Sequence, residues 1–411
     1  MRQSGAPGYP TSTATVKALQ STIAPMKTEK FDVMKDKKHV LCIVGTRPEG
    51  IKMAPLIQAL KAESWAHVTV LATAQHRDLL DQVLSLFDIQ PDVDLNIMRA
   101  NQALPELTAR LITALDEKFV ELTPDVVLAQ GDTTTVMTAA LVAFYRRIPF
   151  GHVEAGLRTH DLDNPFPEEM NRLVAGHLAR WHFVPTDRSR QNLLREGVSD
   201  SAIHVTGNTV IDALLQVAAA DWPLDVPLDP ERRLILVTAH RRENFGEPFR
   251  SVCRAIRTLV DRYSDVEVLY PVHPNPNVIE VAHELLGGHP RIRLCSPLDY
   301  APFVEAQKRA YLILTDSGGV QEEAPALGKP VLVMRSETER PEAVDEGVVR
   351  LVGTDEARIV AEASRLLDDP DAYRQMARGV SPYGDGNASQ RIVGVLREAL
   401  CVTPSIAKTA P

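Results

Sequence analysis

Cysteine is scarce: Cys42, Cys253, Cys295 and Cys401 are the four in 411 residues, and no two form a Cys-x-x-Cys pair. That spacing excludes a redox dithiol or a structural zinc site as an organising feature and gives a disulfide framework no support. No run of about 18 apolar residues occurs, so no membrane association is expected. The N-terminus lacks the apolar core of a secretory signal, which makes a cytoplasmic location the default expectation. Positive charge is in deficit. Lys and Arg number 45 against 54 Asp and Glu, a net charge of −9, which argues against a nucleic-acid partner. A Walker-type phosphate loop, a strand leading into Gly-x-Gly-x-x-Gly and a His-Glu-x-x-His ligand pair are all missing. No metal and no nicotinamide cofactor are therefore expected.

What is present is ordinary for a globular protein: 44% hydrophobic and 24% charged residues. At about 150 residues per domain the length suggests two or three domains. Residues 1–37, rich in Ser, Thr, Pro, Gly and Lys, read as a disordered extension, and 404–411 as a loose tail. Between them, short β-branched runs at 39–44, 68–72, 126–129, 234–237, 266–270, 312–314 and 331–333 alternate with helical stretches, for example around 55–62 and 78–87. This alternation indicates βαβ units and mostly parallel sheets. Continuous rather than alternating apolar strands fit sheets covered on both faces. The proline-rich segment 221–230 breaks the pattern and separates two α/β halves. The expected division is an N-terminal domain at 38–207, a C-terminal domain at 208–385 and a returning helix at 386–403. Ligands of such folds sit beyond the C-terminal strand ends, so a cleft between the halves is the expected site.

Four constellations sit at those strand ends. Gly45-Thr46-Arg47-Pro48-Glu49-Gly50-Ile51-Lys52 reads as a turn into a helix whose free N–H groups, with Arg47 and Lys52, suit an anion. Thr315-Asp316-Ser317-Gly318-Gly319 follows a strand and precedes a helix, so Ser317, Gly318 and Gly319 can offer a hydroxyl and two N–H groups to a diphosphate. Glu323, a helical turn on, can accept from ribose hydroxyls. Asp132, Glu154 and Glu168 form an acidic set suited to dividing acid and base work, although any one of them alone reads more readily as a helix cap or a solvated helix start. His240 with Arg241 and Arg242, and His273 after the next strand, supply further donors.

Together the motifs resemble the non-hydrolysing UDP-N-acetylglucosamine 2-epimerases. The matching stretches include Gly45-Thr46-Arg47-Pro48-Glu49, Ala74-Gln75-His76-Arg77, Gln130-Gly131-Asp132-Thr133-Thr134 and His152-Val153-Glu154-Ala155-Gly156-Leu157-Arg158. Others are Phe166-Pro167-Glu168-Glu169-Met170-Asn171-Arg172, His240-Arg241-Arg242-Glu243, Asp316-Ser317-Gly318-Gly319-Val320-Gln321-Glu322-Glu323 and Thr338-Glu339-Arg340-Pro341-Glu342. They span about residues 38–400 in the family's order.

The resemblance implies two Rossmann-like domains facing a cleft, similar to GT-B glycosyltransferases, with the last helix crossing back onto the N-terminal domain. It implies reversible conversion of UDP-GlcNAc to UDP-ManNAc by a homodimer, serving cell-surface polysaccharide synthesis. It also implies residue roles. Asp132, Glu154, Glu168, Arg172 and His240 are catalytic. Arg47, Lys52, His240, Ser317, Gly318, Gly319, Glu323 and Arg340 bind substrate. Gln75, His76, Arg241 and His273 match a second, activating UDP-GlcNAc site. Alternatives of other kinds are a hydrolysing 2-epimerase, an epimerase of a modified UDP-sugar, a GT-B glycosyltransferase and a non-enzymatic UDP-sugar sensor.

Overall fold

The computed structural model describes residues 37–73, 77–97, 99 and 102–401. The expected N-terminal extension (Lys37 apart), the tail at 404–411, and Gln75 and His76 lie outside the described residues.

The first half is β1 (Lys38–Val44), α1 (Arg47–Lys61), β2 (Ala66–Ala72), α2 (Arg77–Leu86), β3 (Val93–Asp94), α3 (Leu104–Leu122), β4 (Val126–Gln130), α4 (Thr134–Arg146), β5 (Phe150–Val153), α5 (Glu168–Leu178), β6 (Trp181–Val184), α6 (Asp187–Arg195) and β7 (Ile203–Val205). Its strands form one parallel sheet in the order β3-β2-β1-β4-β5-β6-β7. After α7 (Thr209–Ala218) comes the second half. It consists of β8 (Arg233–Thr238), α8 (Glu247–Arg262), β9 (Val266–Pro271), α9 (Pro276–Leu286), β10 (Ile292–Cys295), α10 (Tyr300–Arg309), β11 (Ala310–Thr315), α11 (Gly318–Ala326), β12 (Val331–Val333), α12 (Pro341–Asp345), β13 (Val349–Leu351), α13 (Glu356–Asp368), α14 (Pro370–Met376) and α15 (Ala388–Cys401). This sheet is parallel too, in the order β10-β9-β8-β11-β12-β13. In each sheet the strand order reverses once, between β1 and β4 and between β8 and β11. A doubly wound sheet opens its crevice at such a point, beyond the strands' C-terminal ends.

Burial explains the strand composition. Every residue of β4, β5, β6 and β12 is buried, as a sheet with helices on both faces requires. Side-chain caps set many of the helix starts: Thr133 accepts from the Val136 N–H, Thr186 from Ser189 and Asp355 from Arg358. Helix α1 begins at Arg47, in the stretch that reads as a turn into a helix, and runs through Pro55 to Lys61. A capping box fixes that start: Thr46 accepts from the Glu49 N–H while the Glu49 carboxylate accepts from the Thr46 N–H.

One apolar cluster runs without a break from β1 and α1 through Val210, Ile211 and Leu214 of α7 and Ile392, Val393 and Leu396 of α15, into Leu234, Ile313 and Val331 of the second sheet. Each fully buried side chain of this kind contributes roughly 1.5–3 kcal/mol, so the two halves share a core. The chain crosses between the sheets at 206–208 and returns at 383–387. The crossings lie against each other, with the Asn208 N–H donating to the Tyr383 carbonyl at 2.6 Å. Asp212 then caps α15 by accepting from the N–H groups of Ala388 (3.2 Å) and Ser389 (2.7 Å). The last helix thus packs back onto α1 and α7. Among the described residues no helix is long and apolar enough to cross a membrane, and no cluster of three or more His, Cys, Asp or Glu could hold a metal ion.

Candidate active site

A cleft of about 490 Å³ lies at the first reversal point, lined from the first half by Thr46, Glu49, Lys52, Gln130, Asp132, Glu154, Arg158, Glu168 and Arg172, and from the second by Arg241, Glu339 and Arg340. Strand geometry delivers the carboxylates. Asp132 leaves β4 through Gly131, whose φ of +90° suits glycine, and Glu154 leaves β5. Glu154 itself has φ +62°, a left-handed conformation costing a non-glycine residue roughly 1–2 kcal/mol. Such strain persists where the surroundings over-determine it, commonly at functional positions.

Each carboxylate has a cation. Lys52 of α1 pairs with Glu154, which also accepts from Gln130 Nε2 at 3.0 Å. Burial pushes Glu154 up, but the charge and hydrogen bond of Lys52, helped by Arg340, outweigh it and hold the carboxyl below its ordinary range. Lys52 is shifted up in turn: burial opposes its charge, and Glu154 and Glu322 prevail. Arg172 of α5 donates to Asp132 Oδ2 at 2.6 Å. Asp132 nevertheless moves up, because burial outweighs Arg172 and the neighbouring Glu154 and Glu168 add to the rise. Asn171 Nδ2 fixes the Asp132 carbonyl at 2.9 Å. The cap of α4 is Thr133, so the Asp132 carboxylate is left to the cleft.

Glu168 and Glu169 divide. Glu168 lines the cleft, whereas Glu169 is fully buried, accepts from the Thr159 and His160 N–H groups at 3.1 and 3.0 Å, and pairs with Arg172 at 3.2 Å. At the start of α1 a carboxylate meets the backbone N–H groups of the turn. Glu49 Oε2 takes the Gly45 and Thr46 N–H groups at 2.6 and 2.7 Å, and its Oε1 accepts from Thr133 at 2.5 Å. Gly45 is required by close approach: a Cβ there would come within 2.7 Å of Thr73 Oγ1.

The second reversal point carries the Ser-Gly-Gly turn. Ser317 precedes α11 without a side-chain cap bond, leaving the first-turn N–H groups of Gly318 and Gly319 for a ligand. The Arg340 guanidinium packs on Gly318, where a Cβ would lie 3.2 Å from Cζ. Asp316, fully buried, organises the facing loop by accepting from the His240 and Arg241 N–H groups at 2.8 Å each. Its other oxygen lies 3.3 Å from His240 Nδ1. Burial lowers the His240 pKa against the pull of Asp316, and its ring stacks on His273 at 5.4 Å.

The cleft thus gathers Lys52, Asp132, Glu154, Glu168, Arg172, Arg241 and Arg340. Arg47, His240, His273, Ser317, Gly318, Gly319 and Glu323 are not among its lining residues. Arg47 faces a neighbouring cavity of about 800 Å³ with Tyr300. Glu323 is buried between α10 and α11, where it accepts from Gln307 at 3.0 Å and Tyr300 at 3.4 Å, and burial pushes it up to about 7. Sequence reasoning passed over Gln130, Asp316, Asn208 and Glu322. Gln130, Asp316 and Glu322 stand beside quoted site residues and Asn208 does not, and the roles of all four come from long-range pairing.

The family model described as UDP-N-acetylglucosamine 2-epimerase matches residues 58–397. The UDP-N-acetylglucosamine 2-epimerase of Escherichia coli K12 is 54% identical over 371 residues, covering 87% of this chain and 98% of that protein. The chain belongs to this family. The Yersinia pestis 2-epimerase is 55% identical over 370 residues, with 87% and 98% covered. The crystal structure of the Neisseria meningitidis UDP-GlcNAc 2-epimerase bound to UDP-GlcNAc superposes with a TM-score of 0.81 at 46% identity, over 88% of this chain and all of that one. The 2-epimerase family and its GT-B-like fold therefore stand on both sequence and architecture.

Proposed function

We propose that this 2-epimerase interconverts UDP-N-acetylglucosamine and UDP-N-acetylmannosamine by eliminating and re-adding UDP. The C2 proton of the sugar is not beside a carbonyl, so direct abstraction is difficult. Elimination makes it feasible, because breaking the C1–O bond lets the C2–H electron pair form the C1–C2 double bond. A carboxylate takes the C2 proton, the C1–O bond breaks, and its electron pair leaves with the diphosphate of UDP, giving a glycal. Re-addition rebuilds the C1–O bond and returns a proton to the opposite face of C2, with no net redox change.

One observation carries the reading: three carboxylates, Asp132, Glu154 and Glu168, converge on one cleft with Lys52, Arg172 and Arg340. Cations of this kind stabilise the departing diphosphate, and the Ser317-Gly318-Gly319 turn adds N–H donors from the facing domain. The two carboxyls with opposite shifts suit different tasks. Asp132, pushed up by burial, titrates nearer neutrality, where proton carriers work best. Glu154, for which the Lys52 charge outweighs burial, stays ionised. An elimination intermediate must be held between steps, as a cleft closed by two domains can do.

The test replaces Asp132, Glu154 and Glu168 in turn by the amide. Turnover should fall about 10²-fold or more with UDP binding retained; near-parental turnover in all three would refute the assignment.

A further inference from the structure

Glu322 lies in the second half, on α11, one residue before Glu323, and it is 3% exposed. A buried carboxylate needs partners for both oxygens. Glu322 has them: Arg340 Nε donates to Oε1 at 2.7 Å, and Asn208 Nδ2 donates to Oε2 at 2.8 Å. Neither Glu322 nor Asn208 lines the cleft, but Arg340 does.

Asn208 occupies an unusual place. It stands where the chain crosses between the two sheets, and its N–H binds the Tyr383 carbonyl of the return crossing at 2.6 Å. Its Oδ1 caps α7 by accepting from the Val210 N–H at 3.1 Å. Its remaining group, Nδ2, donates to Glu322. The side chain also lies against Glu154, which it helps to keep ionised. A chain of contacts therefore runs from the crossing, through Glu322, to a guanidinium packed on the Gly318 turn.

The geometry points to Glu322 and Asn208 as positioning residues that set the Arg340 guanidinium between the diphosphate turn and Glu154, without touching substrate. This rests on the epimerase reading above. Its physical content is a choice of partner. Arg340 has three carboxylates around it, Glu322, Glu154 and Glu339. The bond to Glu322 is the short one, and Glu339 Oε2 stands 3.8 Å from Nη1. Without Glu322, Arg340 is free to swing to Glu154 and compete with Lys52, which removes a cation from the leaving group and alters a carboxylate at once.

A double-mutant cycle on kcat/KM for UDP-GlcNAc tests this, with melting temperatures as the folding control. Glu322→Gln keeps the shape and removes the charge. Asn208→Ser keeps an α7 cap, since serine is a good capping residue, and removes the donor to Glu322. Each should lower kcat/KM about tenfold or more, and Arg340→Met by at least as much. Combined with Arg340→Met, neither should cause further loss, because residues acting through a shared partner are not additive. Losses that multiply, or parental kcat/KM in both Glu322→Gln and Asn208→Ser, overturn the inference. Should Glu322→Gln fail to fold, Asn208→Ser carries the same cycle. A parental protein that leaves UDP-GlcNAc unchanged overturns the functional reading as well, whereas multiplying losses overturn the positioning role alone.

Discussion

The Lys52–Glu154 pair gives the account a quantitative handle. Both side chains are largely buried, at 16% and 6% exposed. Lys52→Met keeps most of the aliphatic volume and removes the charge. Glu154 then keeps its bond from Gln130 in a site whose main compensation is gone. Leaving it ionised and unpaired costs roughly 3–5 kcal/mol. Binding a proton is the alternative, and it sets a ceiling. From an ordinary glutamate value of 4.5, at about 1.36 kcal/mol per pH unit, neutralising the group at pH 7 costs about 3.4 kcal/mol.

The pH dependence then reverses sign. In the parent, Lys52 outweighs burial and holds Glu154 low, so its contribution is fully present above 4.5 and is lost as the pH falls through the lower folded value. In Lys52→Met, burial acts without its main opponent and the folded value rises. The variant is penalised at neutral pH and recovers as the pH falls toward 4.5. Melting curves of the two proteins from pH 4.5 to 8 should show a gap that is widest at neutral pH and closes on acidification. Adding Glu154→Gln to Lys52→Met should abolish that pH dependence. A gap that does not change with pH would refute the reasoning.

Two further outcomes follow from the same geometry. Arg172→Met removes the cation that opposes burial at Asp132, so the limb of the kcat/KM profile governed by Asp132 should move to higher pH; an unmoved profile would count against that pairing. Gly318→Ala places a methyl 3.2 Å from Arg340 Cζ. The guanidinium must then give way by a few tenths of an ångström, so UDP affinity by calorimetry should fall, and undiminished affinity would contradict the placement of Arg340 at the turn.

The parallel α/β architecture was legible because strands such as Val126-Val127-Leu128-Ala129 are apolar throughout. Strands β5, β6 and β7 were not, and their histidines show why. His152 and His182 sit in mid-strand at 1% and 2% exposed, with burial pushing them down to about 4 and about 3. A neutral buried imidazole behaves as a core residue, but in sequence it breaks an apolar run. The two-residue β3 is too short to leave a pattern. Asp132, Glu154 and Glu168 could be found as acids near strand ends or at a helix start. Asp316, Glu322 and Asn208 could not, because what they do depends on partners 18 to 114 residues away. The Glu49 bonds at the start of α1 have a local cause: Glu49 lies within reach of its own helix start.

Proton NMR of the purified protein with UDP-GlcNAc in deuterium oxide reads the elimination and re-addition of UDP at the reacting carbon. Elimination and re-addition should give a growing UDP-ManNAc anomeric signal, with deuterium entering at C2 in both epimers. Epimerisation that retains the original C2 proton, or release of free ManNAc in place of the nucleotide sugar, would contradict it.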